Sequence, residues 1–295
     1  MLPSSAMESS VLKTIVYADI FDYPLTDHDT HRFLIGKKAE FFEVKKTLKT
    51  LYDTKKIEFS EGLYFLPSRK EIVFKRQLRN KLFLAKIKTA KIAARILQVL
   101  PQIKLIGVSG GLAVANADAS DDIDFFIITS ENQLWTTRLL STALLSFSGL
   151  RRTPKSKSLA DKICLNMFID ERLLEIRPHD LYLAHEVLQM MPLFERDNTY
   201  QKFIKVNSWA YQFLPNWPKV RSLKARRILP KIKLPFSQIP LSYFEDFSKK
   251  FQLNYMAKRR TIEKISPTKL QFHPKDVHAK ILNTFIEQSE TLNLD

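Results

Sequence analysis

Two carboxylates, Asp122 and Asp124, open an apolar run, DIDFFIIT, and are the residues of this chain most suited to chemistry. In a β-strand the side chains at i and i+2 share a face. The two acids therefore project together, roughly 6–7 Å apart along the strand, while Ile123 and Phe125 point the other way into a core. Paired carboxylates repel each other unless a cation lies between them, and a hard divalent ion such as Mg²⁺ meets that need with oxygen ligands. Just upstream, Ser109-Gly110-Gly111 forms a tight turn whose backbone N–H groups can approach an anion closely, as phosphate-cradling loops do.

The elements that must position these groups follow from the neighbouring residues. Ile103–Val108 reads as an apolar strand, Leu112–Asn116 as a short helical start, Ala117–Asp121 as a polar loop and Asp122–Thr129 as the second strand. Glu131–Leu150 carries Leu134, Leu139, Leu144 and Leu145 at helical spacing, and a basic loop, Arg151 to Lys157, follows it. A third strand, Lys162–Asp170, places Ile163, Leu165, Met167 and Ile169 on one face by parity and Cys164, Asn166, Phe168 and Asp170 on the other.

A Gly-Gly turn followed at this spacing by Asp-x-Asp at the start of the next strand resembles the polymerase β-type nucleotidyltransferase superfamily. The resemblance covers about residues 101–180 closely. It implies a small α/β core that transfers an NMP from an NTP to an acceptor hydroxyl, with two Mg²⁺ ions held by Asp122 and Asp124. Ser109, Gly110 and Gly111 are the implied nucleotide-binding positions, with Gly111 where a serine is often found. The third catalytic position falls on Asn166, where the superfamily usually has a carboxylate; an amide can ligate a metal through oxygen but cannot act as a base. Asp170, Glu171 and Asp161 are further carboxylates near that strand, and Trp135 and Arg138 are expected on the substrate side of their helix. The alternative is a nucleic-acid-binding regulator built on such a scaffold without activity.

Bulk composition narrows the partners. The 295 residues carry 47 Lys and Arg against 31 Asp and Glu, a formal charge of +16. An excess of that size suggests a polyanion, RNA or DNA first, although a lysine-rich surface also serves solubility. The charge is concentrated: residues 69–95 contain ten Lys/Arg and one acid, Glu71, and residues 219–233 contain seven and no acid. Cys164 is the single cysteine, which rules out an internal disulfide and fits a reducing cytoplasm. No apolar run is long enough to span a membrane and the N-terminus lacks a secretory pattern, so no membrane partner is expected.

The expected fold class is α+β. Residues 9–68 read as a winged-helix-like unit: helices near Val11–Phe21, Asp29–Leu34 and Phe41–Lys55, then a hairpin turning at Glu61-Gly62. Lys45, Lys46, Lys49, Lys55 and Lys56 would present the third helix to a nucleic-acid groove, or that unit binds protein. Residues 69–100 form a long connector helix and 101–178 the mixed-sheet nucleotidyltransferase core. Residues 179–295 form a helical C-terminal region containing a basic linker at 218–240 and a short basic run, Lys258 to Arg260. His185 is expected to be a helix-surface or packing residue, and Trp209 and Trp217 to be core residues.

Overall fold

The structure, a computed structural model, describes residues 6–153, 158–219, 244–257, 264–265, 269–271 and 277–294. The basic linker from residue 220 to 240, Lys155, Lys157 and the Lys258–Arg260 run therefore lie outside the described residues.

The chain begins with α1 (Ala6–Asp19), α2 (Asp27–Arg32) and α3 (Phe41–Asp53), followed by the antiparallel pair β1 (Glu58–Ser60) and β2 (Leu63–Phe65). Local chemistry sets these boundaries. The Asp29 N–H donates to the Thr26 hydroxyl and the Thr26 N–H donates to the Asp29 carboxylate, a capping box that starts α2. Glu61 and Gly62 both take positive φ, as a two-residue hairpin turn requires. Val11, Leu12, Leu34, Val44 and Leu48 close a small core beneath the three helices.

α4 (Glu71–Leu97) leads into β3 (Ile103–Val108), a short 3₁₀ turn at Gly110–Val114 and β4 (Ile123–Thr129). α5 (Leu134–Phe147), β5 (Ile163–Asp170) and α6 (Leu181–Gln189) follow. Next come β6 (Met191–Glu195), α7 (Thr199–Val206) and α8 (Ala210–Phe213). The last elements are α9 (Glu245–Ala257), β7 (Lys264–Ile265), β8 (Lys269–Gln271) and α10 (Val277–Thr291). The class is α+β, with a six-stranded mixed sheet in the order β6-β3-β4-β5-β8-β7, parallel only between β4 and β5. α4 and α5 cover one face, with Ile106, Phe125, Ile127 and Phe168 beneath them. α6, α7, α8 and Tyr17 of α1 cover the other, over Leu105, Phe126, Ile128 and Ile169. No helix among the described residues is long and apolar enough to cross a membrane.

Two expectations change here. The region after residue 178 is not wholly helical: β6 joins β3, and β8 joins β5, so the sheet extends beyond 101–178. Pro192 in β6 is tolerated because β6 is an edge strand. Strand β5 carries a bulge: Asp124 pairs with Cys164 but Phe126 pairs with Met167, three residues of β5 spanning two of β4. Parity therefore reverses within the strand, and Met167 and Ile169 pack on the α6 side while Phe168 packs on the α4–α5 side.

The cations of α4 are divided. Arg76, Arg79 and Lys86 are buried and pair with Asp29, Asp118 and Asp161, while Arg69 pairs with Asp19 and Asp22, and Lys75 with Asp22. Half of the ten cations at 69–95 thus hold the fold together internally. Lys70, Lys81, Lys88, Lys91 and Arg95 remain on the surface.

Candidate functional site

β4 points alternate residues to opposite faces, and Phe126 and Ile128 lie towards α6, so Asp124 faces that helix as well. The main chain joins the turn to the strand directly: the Ser109 N–H donates to the Asp124 carbonyl at 3.0 Å. Gly110 has a φ of +65°, and a Cβ there would lie 3.5 Å from Asp124 Oδ2. At Gly111 a Cβ would come within 3.1 Å of the Asn116 carbonyl oxygen, so the tightness of this turn depends on glycine.

The N-terminal helices and α4 fasten the turn in place. The Tyr23 hydroxyl donates to the Val114 carbonyl at 3.0 Å, and the Asn116 amide donates to the Phe21 carbonyl at 2.9 Å. Arg79 grips Asp118 with two parallel bonds of 2.7 and 2.8 Å and donates at 3.0 Å to Asn116 Oδ1. Lys86 donates to the Asp121 carbonyl at 2.7 Å and to Asp161 at 3.0 Å. The loop before the acidic pair is thus held by two buried cations of α4.

Asp122, Asp124 and Cys164 each place one ligand atom within 4.8 Å of the others. Asp122 accepts a 2.6 Å bond from Arg152 Nη1, which also lies 3.9 Å from Cys164 Sγ. Burial, then the adjacent Asp122 carboxylate, pushes Asp124 up to about 7; a bond from the Cys164 thiol and the nearby Arg152 oppose the shift. Burial, then the two carboxylates, pushes the Cys164 thiol far above its ordinary value, so the sulfur is a neutral donor to Asp124. Two carboxylates this close together suit a divalent cation, and the protonated thiol does not compete with oxygen ligands for Mg²⁺.

Beside the pair the sheet face opens into a cavity of about 250 Å³, bordered by Ser109, Gly110, Gly111, Asp124 and Asn166. The structure thus gathers five of the six expected site residues around one space, with Asp122 at its edge beside Asp124. α6 adds Glu186, whose carboxyl is pushed up to about 7 by burial and then by Asp124. His185, also on the cavity wall, is buried and stacked on Tyr17 at 4.4 Å; burial pushes its pKa down to about 3, so the ring is neutral.

Other acids are placed elsewhere. Burial alone would raise Asp170, but bonds from the Arg172 guanidinium and from the Arg172 and Asn132 N–H groups hold it below the usual range. It lies at the far end of β5 and anchors the 130–133 turn. Glu171 accepts from the Glu131 N–H, and Asp161 pairs with Lys86. Trp135 and Arg138 pack against α9 on the opposite sheet face, since the Trp135 N–H donates to Glu245 and Arg138 donates to Gln252. Trp209 is buried and Trp217 stacks on Phe33, as expected of packing residues.

Cys164, Arg152 and Glu186 join the site only through tertiary structure. The β4–β5 register brings Cys164 opposite Asp124, and the packing of α6 on the sheet brings in Glu186. Neither is marked by sequence spacing. Comparison of the chain with protein-family models, with curated proteins and with solved structures found no match to any of them.

Proposed function

We propose that this chain is a divalent-metal-dependent nucleotidyltransferase that moves an NMP from an NTP to an acceptor hydroxyl. The observation that carries the reading is the contact of the Ser109–Gly111 turn with Asp124, on the sheet face where Asp122, Asp124 and Cys164 converge. Asp122 and Asp124 are the residues that would hold Mg²⁺, which when bound neutralises the triphosphate and favours displacement at the α-phosphate. Cys164 orients Asp124 through its S–H bond. Ser109, Gly110 and Gly111 receive the phosphates at the turn, and Arg152 is placed to move from Asp122 to the triphosphate. Asn166 borders the cavity where the superfamily has its third carboxylate and orients the substrate without accepting its proton.

In this reading residues 9–68 form a winged-helix unit, since three helices and a hairpin occur in the expected order, and α4 connects it to the core. The exposed Lys45, Lys46 and Lys49 of α3 are its nucleic-acid-facing candidates. A second reading, an inactive scaffold that binds RNA or DNA, is favoured by Asn166 and by the Arg152 guanidinium already paired with Asp122. One experiment separates the two. Purified protein and the Asp122→Asn/Asp124→Asn double variant are incubated with Mg²⁺ and each NTP labelled at the α-phosphate, with cellular RNA and a small-molecule panel as acceptors. Transfer by the wild type that is lost in the variant is expected. Absence of transfer, with NTP binding equal in both proteins and indifferent to Mg²⁺, overturns the enzyme reading.

A further inference from the structure

A second cavity lies at the far end of the 3₁₀ turn and takes no part in the proposed chemistry. It measures about 500 Å³, within the range of small-molecule sites. Segments far apart in the chain enclose it: the end of α2, the middle of α4, Ala113–Ala115, the α6–β6 junction and the chain after α8. Its wall is aromatic and thioether in character, built largely from Phe33, Phe83, Tyr200, Trp217, Met190 and Met191.

Arg32 and Lys219 are the cations on that wall, and both are exposed. Neither makes an ion pair or a side-chain hydrogen bond with any described residue. The one carboxylate among the described lining residues, Asp29, is already engaged. Arg76 donates to it at 2.7 Å, and it accepts from the Thr26 N–H. Two cations therefore border the cavity with no counter-charge to spare. The fold fixes their placement: Asn216 donates to the His31 carbonyl at 3.0 Å and accepts from the Ala39 N–H at 3.1 Å. These bonds tie the end of α2 to the Trp217–Lys219 segment. Trp217 stacks on Phe33 with ring centres 5.5 Å apart, and the Arg32 guanidinium lies 5.8 Å from the Trp217 ring centre.

An uncharged ring entering this space would cover the apolar wall and leave the cations unmet. An inorganic anion would meet the cations and leave the wall uncovered. A planar ring carrying a carboxylate or a phosphate does both. We propose that this cavity binds a small planar anion, its ring against Trp217, Phe33 and the methionines and its acidic head at Arg32 and Lys219. Neither the site nor the class of ligand depends on the nucleotidyltransferase reading. The occupant also touches the neighbouring cavity, because Tyr23, Phe33, Val114 and Gln189 line both and form the partition between them. It braces the turn from the Val114 side, where the Tyr23 hydroxyl already holds it, while Gly110 and Gly111 border the other space.

The test is calorimetric titration of the full chain, treated with chelator, free of nucleotide and at physiological salt. The probes are naphthoate and naphthyl phosphate, with naphthalenemethanol as the uncharged ring and inorganic phosphate as the anion without a ring. At least one naphthyl anion is expected to bind about tenfold or more tightly than the alcohol and than phosphate. The order of the two anions tells whether the site prefers a carboxylate or a phosphate head. Arg32→Gln and Lys219→Gln should each weaken the better anion about three- to tenfold and leave the alcohol unchanged. Lys91→Gln, at an exposed position of α4 outside the cavity, should change nothing, which separates a site from the overall positive charge. The Asp122→Asn/Asp124→Asn variant should bind the anion as the wild type does, and hydrogen exchange at residues 113–116 should slow on binding. The proposal is overturned if neither anion binds, if the alcohol binds equally well, or if Arg32→Gln and Lys219→Gln have no effect. An equal loss in Lys91→Gln, loss of binding in the double carboxylate variant, or unchanged exchange at 113–116 overturns it too.

Discussion

Asp124→Asn removes one negative charge and almost no volume, and so isolates the electrostatic strain of the candidate metal site. Burial and then the Asp122 carboxylate raise Asp124 from 3.8 to about 7. A carboxyl raised on folding gives the native state an advantage that is present below the unfolded pKa and is lost as pH rises through the folded one. Relative to the asparagine variant, the wild type should therefore lose stability from about pH 4 to about pH 7 and stay penalised above that. About three pH units at ~1.36 kcal/mol each set a ceiling of ~4 kcal/mol. The group is only half-buried and Arg152 can reorient towards it, so the expected gain from the substitution at pH 8 is ~1–2 kcal/mol, or roughly 2–6 °C in Tm. The assay is thermal melting of the two chelator-treated proteins in steps between about pH 4.5 and about pH 8. The curves should approach each other at the acidic end and separate at the basic end, with the variant melting higher. Mg²⁺ added at the basic end should then raise the wild type and leave the variant unmoved, because ligand binding stabilises only the state that binds. A variant that melts below the wild type at pH 8, or a difference independent of pH, would refute the reasoning.

Arg152→Gln takes a competing cation off Asp122 and should raise Mn²⁺ affinity without nucleotide about three- to tenfold; water-proton relaxation reads this, and unchanged affinity would show that the ion pair is no obstacle. Arg79→Ala leaves Asp118 and Asn116 without their shared partner and should cost ~2–4 kcal/mol. Hydrogen exchange should rise first at residues 116–121, and protection lost evenly across the chain would count against that assignment. Asn207 is fully buried, donates to the Leu174 and Phe203 carbonyls and accepts from the Ile176 N–H. Asn207→Ala should therefore cost ~2–3 kcal/mol in a denaturant titration while metal affinity holds, since its network lies behind α7, away from the acidic pair.

The sequence by itself determined the features that depend on contiguous residues. The turn at Ser109–Gly111 and the carboxylates at Asp122 and Asp124 are legible because turn, loop and strand follow one another and a strand alternates its faces. The capping of α2 by Thr26, the hairpin turn at Glu61-Gly62 and the length of α4 are legible for the same reason, as each is a matter of a few neighbouring side chains or of one unbroken helical run.

Tertiary structure decided what depends on pairing between distant segments. The strands β6, β7 and β8 are too short to carry a period and exist because sheet edges are there to receive them. The bulge in β5 reverses its parity, which is a property of its register with β4 and not of its own residues. Helical periodicity shows which way Arg79 and Lys86 point, but they become internal ties only because the Asp118 and Asp161 loops come to meet them. Cys164 reaches Asp124 across a parallel ladder, and Glu186 reaches it from a helix laid over the sheet. Local rules position the metal-binding pair, whereas the donors and walls around it are set by the packing of segments far apart in the chain.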